Sequence, residues 1–197
     1  MSRIGSVEEA VEALRAGQVV AFATDTVYGI ATDPSLAGAA EKLARAKGRS
    51  QQVPLQVLIS GMDQAEKLGV WTEAALRVAE TLWPGALTVV VERKPGAVLH
   101  IGGDDHTVGL RWPDNPVSVE LCQMCGPLAA TSANRHGEPP LTTAEEVAQA
   151  FDGSVAVVVD GGHLPGSAST VVDLTGDKPV VLREGGVPAS AIEAAFA

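Results

Sequence analysis

The sequence predicts an α/β domain with a twisted, mixed β-sheet flanked by helices. Three observations predict it. Segments with helical spacing interleave with short β-branched runs. Several of those runs are apolar at nearly every position, as strands covered on both faces are. Three strand-like runs near the end follow one another with no helix between them, so the sheet cannot be purely parallel.

Ser6-Val7-Glu8-Glu9 has the pattern of a capping box, and Val7, Ala10, Val11 and Leu14 recur at helical spacing up to Gly17. Residues 18–22 then read as a buried strand. An alanine-rich helix over 37–46 delivers Lys47-Gly48-Arg49 at its end. Strand follows over 54–60, then a helix over 72–83 that Pro84-Gly85 stops. Residues 87–91 are apolar or β-branched throughout, a strand. The glycine- and acid-rich stretch 96–106 reads as a mobile loop. Strand 107–112, helix 116–124 ending at Gly126, and a short strand 128–130 come next. Thr143-Ala144-Glu145-Glu146 is a second capping box, strands occupy 155–159, 170–174 and 180–182, and Pro188 opens a last helix.

The 197 residues suit one domain, 1–197, with no repeat and no dividing linker. A domain of that size buries roughly two-thirds of its unfolded surface without disulfides or structural metal. No apolar run approaches the ~20 residues of a membrane span, and residues 1–12 lack a secretory pattern, so a cytosolic protein is expected. The formal net charge is −10, which disfavours a broad basic surface for nucleic acid, so anionic ligands must meet a local cluster of cations. Cys122 and Cys125 share a helix face and have no second pair to complete a zinc site; they read as core packing. Asp104-Asp105-His106 reads as solvated loop rather than metal ligands.

The polar groups gather at the ends of predicted strands. Thr24-Asp25-Thr26-Val27-Tyr28-Gly29 leaves the first; Lys47 and Arg49 leave a helix; Arg111 closes the strand from Thr107. Ser132 and Asn134 follow another strand, Ser169 begins one behind the glycine-rich loop 160–166, and Arg183 ends the last. Ligands in open α/β sheets bind on such loops, and this mixture of cations, hydroxyls and glycines suits a polyphosphate. Taken singly, each has a plainer role. Lys47 and Arg49 can complement a helix C-terminus, Arg111 and Arg183 can pair with surface carboxylates, and the hydroxyls can form turns or caps. The chain has neither a Gly-x-Gly-x-x-Gly nor a Walker-type loop, so a nucleotide would be held in another way. Residue chemistry by itself reaches an α/β domain with an anion-binding cleft.

Eight motifs go further. Thr-Asp-Thr-Val-Tyr-Gly (24–29), Lys-Gly-Arg (47–49), Trp-Pro-Gly (83–85), Thr-Val-Gly-Leu-Arg (107–111), Ala-Thr-Ser-Ala-Asn (130–134), Asp-Gly-Gly (160–162), Ser-Thr-Val-Val-Asp (169–173) and Leu-Arg-Glu-Gly (182–185) stand in this order. Together they resemble the YrdC family in its short, single-domain form. The resemblance implies a YrdC-like fold around a concave, positively charged cleft. It implies that L-threonine, bicarbonate and ATP, expected with Mg²⁺, give threonylcarbamoyl-AMP and pyrophosphate, a nucleotidyl transfer. That is the first step of making N6-threonylcarbamoyladenosine in tRNA, which partner proteins complete. Carried over by position, Thr26, Arg111 and Ser169 would hold threonine. Lys47, Arg49, Thr107, Ser132, Asn134 and Arg183 would hold ATP, with Lys47 and Arg49 as the catalytic cations. No metal site formed by the protein's own side chains is expected.

Such a reaction needs no Ser-His or Cys-His pair, because both nucleophiles are substrates; it needs positioning and fixed positive charge. The chain departs from the family pattern at Ser50, Val53, Leu58 and Pro140, with Leu58 where many members carry a histidine. Two other readings follow. One is a YciO-type paralogue with a different activity. The other is a non-catalytic module with weak RNA contact, against which the net charge counts.

Overall fold

The computed structural model describes residues 2–48, 53–135, 137–164 and 166–197. A short strand, β1 (Arg3–Gly5), precedes helix α1 (Val7–Arg15). The expected capping box is formed: the Ser6 hydroxyl accepts from the Glu9 N–H, and the Glu9 carboxylate accepts from the Ser6 N–H. Strands β2 (Val20–Ala23) and β3 (Tyr28–Thr32) are antiparallel, with residues 24–27 between them. Helix α2 (Ala39–Lys47) stops at Gly48, whose φ of 66° is one that L side chains rarely adopt. Next come β4 (Gln56–Leu58), α3 (Met62–Leu68), β5 (Gly69–Val70), α4 (Glu73–Leu82) and β6 (Leu87–Arg93). The chain continues through β7 (Thr107–Arg111), α5 (Pro116–Cys125), β8 (Leu128–Ser132) and α6 (Ala144–Ala150), the last entered by the second capping box at Thr143. Strands β9 (Val157–Val159), β10 (Thr170–Asp173) and β11 (Val180–Arg183) precede helix α7 (Ala189–Phe196).

Among the described residues the eleven strands make one twisted sheet, ordered β1-β9-β2-β3-β8-β4-β7-β6-β10-β11, with β5 paired to β6. The sheet is mixed, as expected, but not only for the expected reason. Of the three late strands, only β10 and β11 are antiparallel neighbours; β9 lies between β1 and β2, parallel to both. Strands β9 and β10 lie on opposite sides of the β3-β8-β4-β7 centre of the sheet, so the chain crosses the sheet between them.

Side chains alternate between the two faces of this sheet, and the faces differ. On one, Leu43 of α2, Val78 of α4, Val147 of α6 and Ile192 of α7 join Val89, Leu110 and Val172 in the larger core. On the other, Leu14 of α1 and Leu121 of α5 pack on Phe22 and Leu128 in a smaller one. Burying each of these large side chains contributes about 1.5–3 kcal/mol. Leu58 and Ala130 belong to the smaller core and also line a cavity, so the cavity opens on that same face. There the positions alternating with core residues are Thr88 on β6, Thr107, Gly109 and Arg111 on β7, and Ser169 and Val171 along β10.

Residues 96–106 form a loop, as expected, exposed at Val98, His100 and 103–106 but anchored at two points. Leu99 and Ile101 are buried in the larger core. The Ala40 N–H donates to the His100 carbonyl, the His100 N–H to that of Pro34, and the Leu55 N–H to that of Ile101. Two apolar residues outweigh the glycines and acids around them. Cys122 is fully buried and Cys125 partly so, in line with packing roles. Among the described residues no helix is long and apolar enough to cross a membrane.

Candidate active site

The cavity has a volume of about 650 Å³. Helix α2 brings Lys47 to one end of it, with only 3% of the residue exposed. Its ammonium donates to the Ser132 carbonyl at 2.6 Å and to Asn134 Oδ1 at 2.7 Å, and lies 3.4 Å from Ser132 Oγ. Ser132 Oγ donates in turn to Asn134 Oδ1 at 2.6 Å. The Asn134 amide nitrogen donates to the Arg135 carbonyl at 3.1 Å and the Glu138 carbonyl at 2.6 Å. A cation with a buried stem and a held head is pre-organised for an anion, since little side-chain entropy remains to be lost.

Arg111, 2% exposed, closes β7. Its Nη2 donates to Asp25 Oδ1 at 2.6 Å and its Nε to the Gly85 carbonyl at 3.2 Å. Burial pulls this guanidinium below its ordinary pKa; the Asp25 carboxylate opposes that, and Arg183 adds to it. Asp25 comes from the turn between β2 and β3. In that turn Thr24 Oγ1 donates to the Val27 carbonyl, accepts from the Thr26 and Val27 N–H groups, and meets Thr26 Oγ1 at 2.9 Å. The Thr26 hydroxyl is therefore held by that of Thr24, and Thr26 lines the cavity.

Ser169 and Arg183 line the cavity as well. Arg183 Nε and Nη2 donate to the Ser169 carbonyl at 3.1 and 2.8 Å, and Nη2 also donates to Ser169 Oγ at 3.0 Å. Partial burial lowers the Arg183 pKa as well. Thr107 borders the cavity beside Asp104, whose carboxylate accepts from the His106 and Thr107 N–H groups and is held below the usual carboxylate range by them. Asp105 instead reaches Arg93 at 2.9 Å.

All eight described candidates, Thr26, Lys47, Thr107, Arg111, Ser132, Asn134, Ser169 and Arg183, line this one cavity. Arg49 lies outside the described residues. Lys47, Arg111 and Arg183 line it together with Asp104 and Asp173, and Asp25 is paired to Arg111, so three described cations meet three carboxylates here. Among its described lining residues there is no cysteine or histidine, and hence no Cys-His or Ser-His pair. Leu58 and Val53, two of the departures from the family pattern, line it too. Sequence reasoning missed three participants. Asp25 sits inside a quoted motif without a role; Thr88 is hidden in a β-branched strand, where threonine signals propensity; Gln56 carries no signal of its own.

Residues 12–185 match the family model Sua5_yciO_yrdC, described as "Telomere recombination". The chain belongs to the Sua5/YciO/YrdC family. Within it, the threonylcarbamoyl-AMP synthase of Bacillus subtilis (strain 168) is 41% identical over 192 residues, covering 95% of this chain and 56% of that protein. The chain thus spans little more than half the length of that relative. A solved structure of P. abyssi Sua5 complexed with L-threonine is 38% identical, with a TM-score of 0.89, and covers 96% of this chain and 56% of the other. E. coli YciO superposes with a TM-score of 0.85 at 26% identity, covering 94% of this chain and 92% of that one. The Sua5/YciO/YrdC fold is therefore common to relatives of different lengths.

Proposed function

We propose that this chain makes threonylcarbamoyl-AMP and pyrophosphate from L-threonine, bicarbonate and ATP, acting as a nucleotidyltransferase. The observation that carries the proposal is the gathering of Lys47, Arg111 and Arg183 with five further candidates around one cavity. The name of the Bacillus subtilis relative and the threonine complex of P. abyssi Sua5 support it. The threonine amine adds to carbon dioxide drawn from bicarbonate and loses a proton, giving a carbamate. A carbamate oxygen attacks the α-phosphorus, and the bond to pyrophosphate breaks. Both reacting species are anions, so the protein's task is to hold them in line against their repulsion.

In this reading Arg111 takes the threonine carboxylate through its fork, and Thr26 and Ser169 take the amine or hydroxyl. Lys47 and Arg49 meet the phosphates and stabilise charge as the α-phosphorus is attacked, which makes them the catalytic cations. Thr107, Ser132, Asn134 and Arg183 hold the rest of the nucleotide. Among the described residues no group of three or more His, Cys, Asp or Glu could hold a metal, while two carboxylates, Asp104 and Asp173, line the cavity. That donor set fits Mg²⁺ carried by the triphosphate and met by one of these carboxylates rather than a protein cage. Such an ion would neutralise phosphate charge. The product is a mixed anhydride, which partner proteins use on an adenosine of tRNA. A cytoplasmic location suits work on ATP and tRNA, and the one sheet of the described residues supports reading residues 1–197 as a single domain.

Leu58 favours a second reading. It is an apolar residue, 1% exposed, in the cavity wall, and suits a YciO-type protein that keeps the cleft for a different substrate. The assay is pyrophosphate release from ATP, with threonine, with serine and with neither. Threonine- and bicarbonate-dependent release that Lys47→Ala and Arg111→Ala abolish supports the proposal. No threonine-dependent release removes it.

A further inference from the structure

A chain of hydrogen bonds runs across the floor of the cavity and has no place in the roles assigned above. It starts at Arg183 Nη2, passes through Ser169 Oγ at 3.0 Å and Thr88 Oγ1 at 3.3 Å, and ends at Gln56 Oε1, 2.9 Å from Thr88. The direction of each bond follows from what each group carries. A guanidinium only donates, so Ser169 accepts from Arg183. The Gln56 carbonyl oxygen only accepts, so the single Thr88 hydrogen goes to it. The contact between Thr88 and Ser169 can then be filled only by the hydrogen of Ser169. With that hydrogen committed, Ser169 Oγ can offer a ligand nothing but a lone pair. At the far end the Gln56 amide nitrogen has no partner among the described residues, and Gln56 lines the cavity.

The chain exists because of a gap in the sheet. Strand β7 lies between β4, which carries Gln56, and β6, which carries Thr88. Gln56 must therefore cross two strand spacings, about 10 Å, to reach its partner. The cavity-facing β7 residue near that path is Gly109, and a Cβ built there would lie 3.3 Å from Thr88 Cγ2. Its φ is not positive, so the backbone would accept alanine. The absent side chain leaves the route across β7 open.

We propose that Thr88 and Gln56 are positioning residues that fix the polarity of Ser169, so that this wall selects a ligand offering a hydrogen-bond donor to Ser169 beside an acceptor for Gln56. An amino acid's ammonium or hydroxyl next to its carboxylate, or next to a carbamate oxygen, has that pattern. A ligand with only acceptors does not. The inference rests on the reading that Ser169 meets threonine.

Two measurements test it together. In the pyrophosphate assay, Thr88→Val, which keeps the shape and removes the hydroxyl, should raise the KM for threonine about tenfold while the KM for ATP stays within about twofold. Thr88→Ser should recover the threonine KM, and Gly109→Ala, which pushes a methyl against Thr88, should raise it again. Equal loss for both substrates, or no rescue by serine, overturns the proposal. In ligand-free crystals of Thr88→Val, Ser169 Oγ and the Gln56 amide should leave their present positions; if both stay, the proposal is overturned whatever the substrate is. Wild-type protein with no threonine-dependent product, together with displaced Ser169 and Gln56 in that variant, would instead remove the proposed function and leave the positioning role standing.

Discussion

Asp25→Asn removes one negative charge from beneath Arg111 and changes almost nothing in shape. The pair is 2.6 Å apart, with side chains only 3% and 14% exposed. Breaking a buried ion pair from one side costs about 3–5 kcal/mol, because the remaining charge is left without compensation. Here Asp25 keeps some solvent, and Arg111 keeps its bond to the Gly85 carbonyl, so the lower end applies, about 3 kcal/mol. Burial already pulls the Arg111 pKa down and Asp25 opposes it, so the loss is present throughout neutral pH, where the guanidinium is charged. For a chain of this length that is a fall of roughly 6–12 °C in Tm. Urea unfolding followed by circular dichroism reads the same quantity by linear extrapolation. The double variant Asp25→Asn with Arg111→Leu should be more stable than the sum of the single losses by about 1.5 kcal/mol or more, since neither charge is then stranded. A cost below about 0.5 kcal/mol for Asp25→Asn would refute the reasoning, because only a solvent-screened pair behaves so.

Three other outcomes are expected. Tyr28 is the one tyrosine in the sequence; desolvation, helped by Asp160, outweighs the bond from the Gly161 N–H and pushes its phenol up to about 12. Between roughly pH 10 and 12 the unfolded chain gives up this proton first, so stability should fall across that window. Tyrosinate absorbance should titrate near 12 in native protein and near 10 in denaturant, and equal midpoints would contradict the buried placement. Burial pushes the Cys122 thiol strongly up and raises that of the more exposed Cys125, so a thiol reagent should modify Cys125 first and Cys122 only on unfolding. Lys47→Met leaves the Ser132 carbonyl and Asn134 Oδ1 without the ammonium; the expected loss is about 1–3 kcal/mol in urea unfolding, with ATP affinity down at least ~tenfold by calorimetric titration.

How much of this was legible follows from the range of each interaction. The capping boxes at Ser6 and Thr143 are local, and both form where the pattern puts them. Helix α2 ends at Lys47 because Gly48 follows, again a local matter. Strand β1 was invisible, since three residues carry no period and its partner β9 lies some 150 residues on. Strand β3 had no assignment from the sequence: Thr24 to Gly29 looks like a polar stretch leaving β2, yet Tyr28 and Gly29 already pair with Ala23 and Phe22. Helix α3 is short and begins at Gly61 without a side-chain cap, so it gave no start signal. In the site, charges and glycines stood out against a mostly apolar background. Asp25, Gln56 and Thr88 did not, because their meaning lies in partners 86, 32 and 81 positions away.

A crystal structure with L-threonine and a non-hydrolysable ATP analogue tests the central claim most directly. The triphosphate should lie in the cavity against Lys47, with the threonine carboxylate on Arg111 and its amine or hydroxyl donating to Ser169. A nucleotide bound elsewhere, or an empty cavity at saturating concentrations of both, would contradict the account.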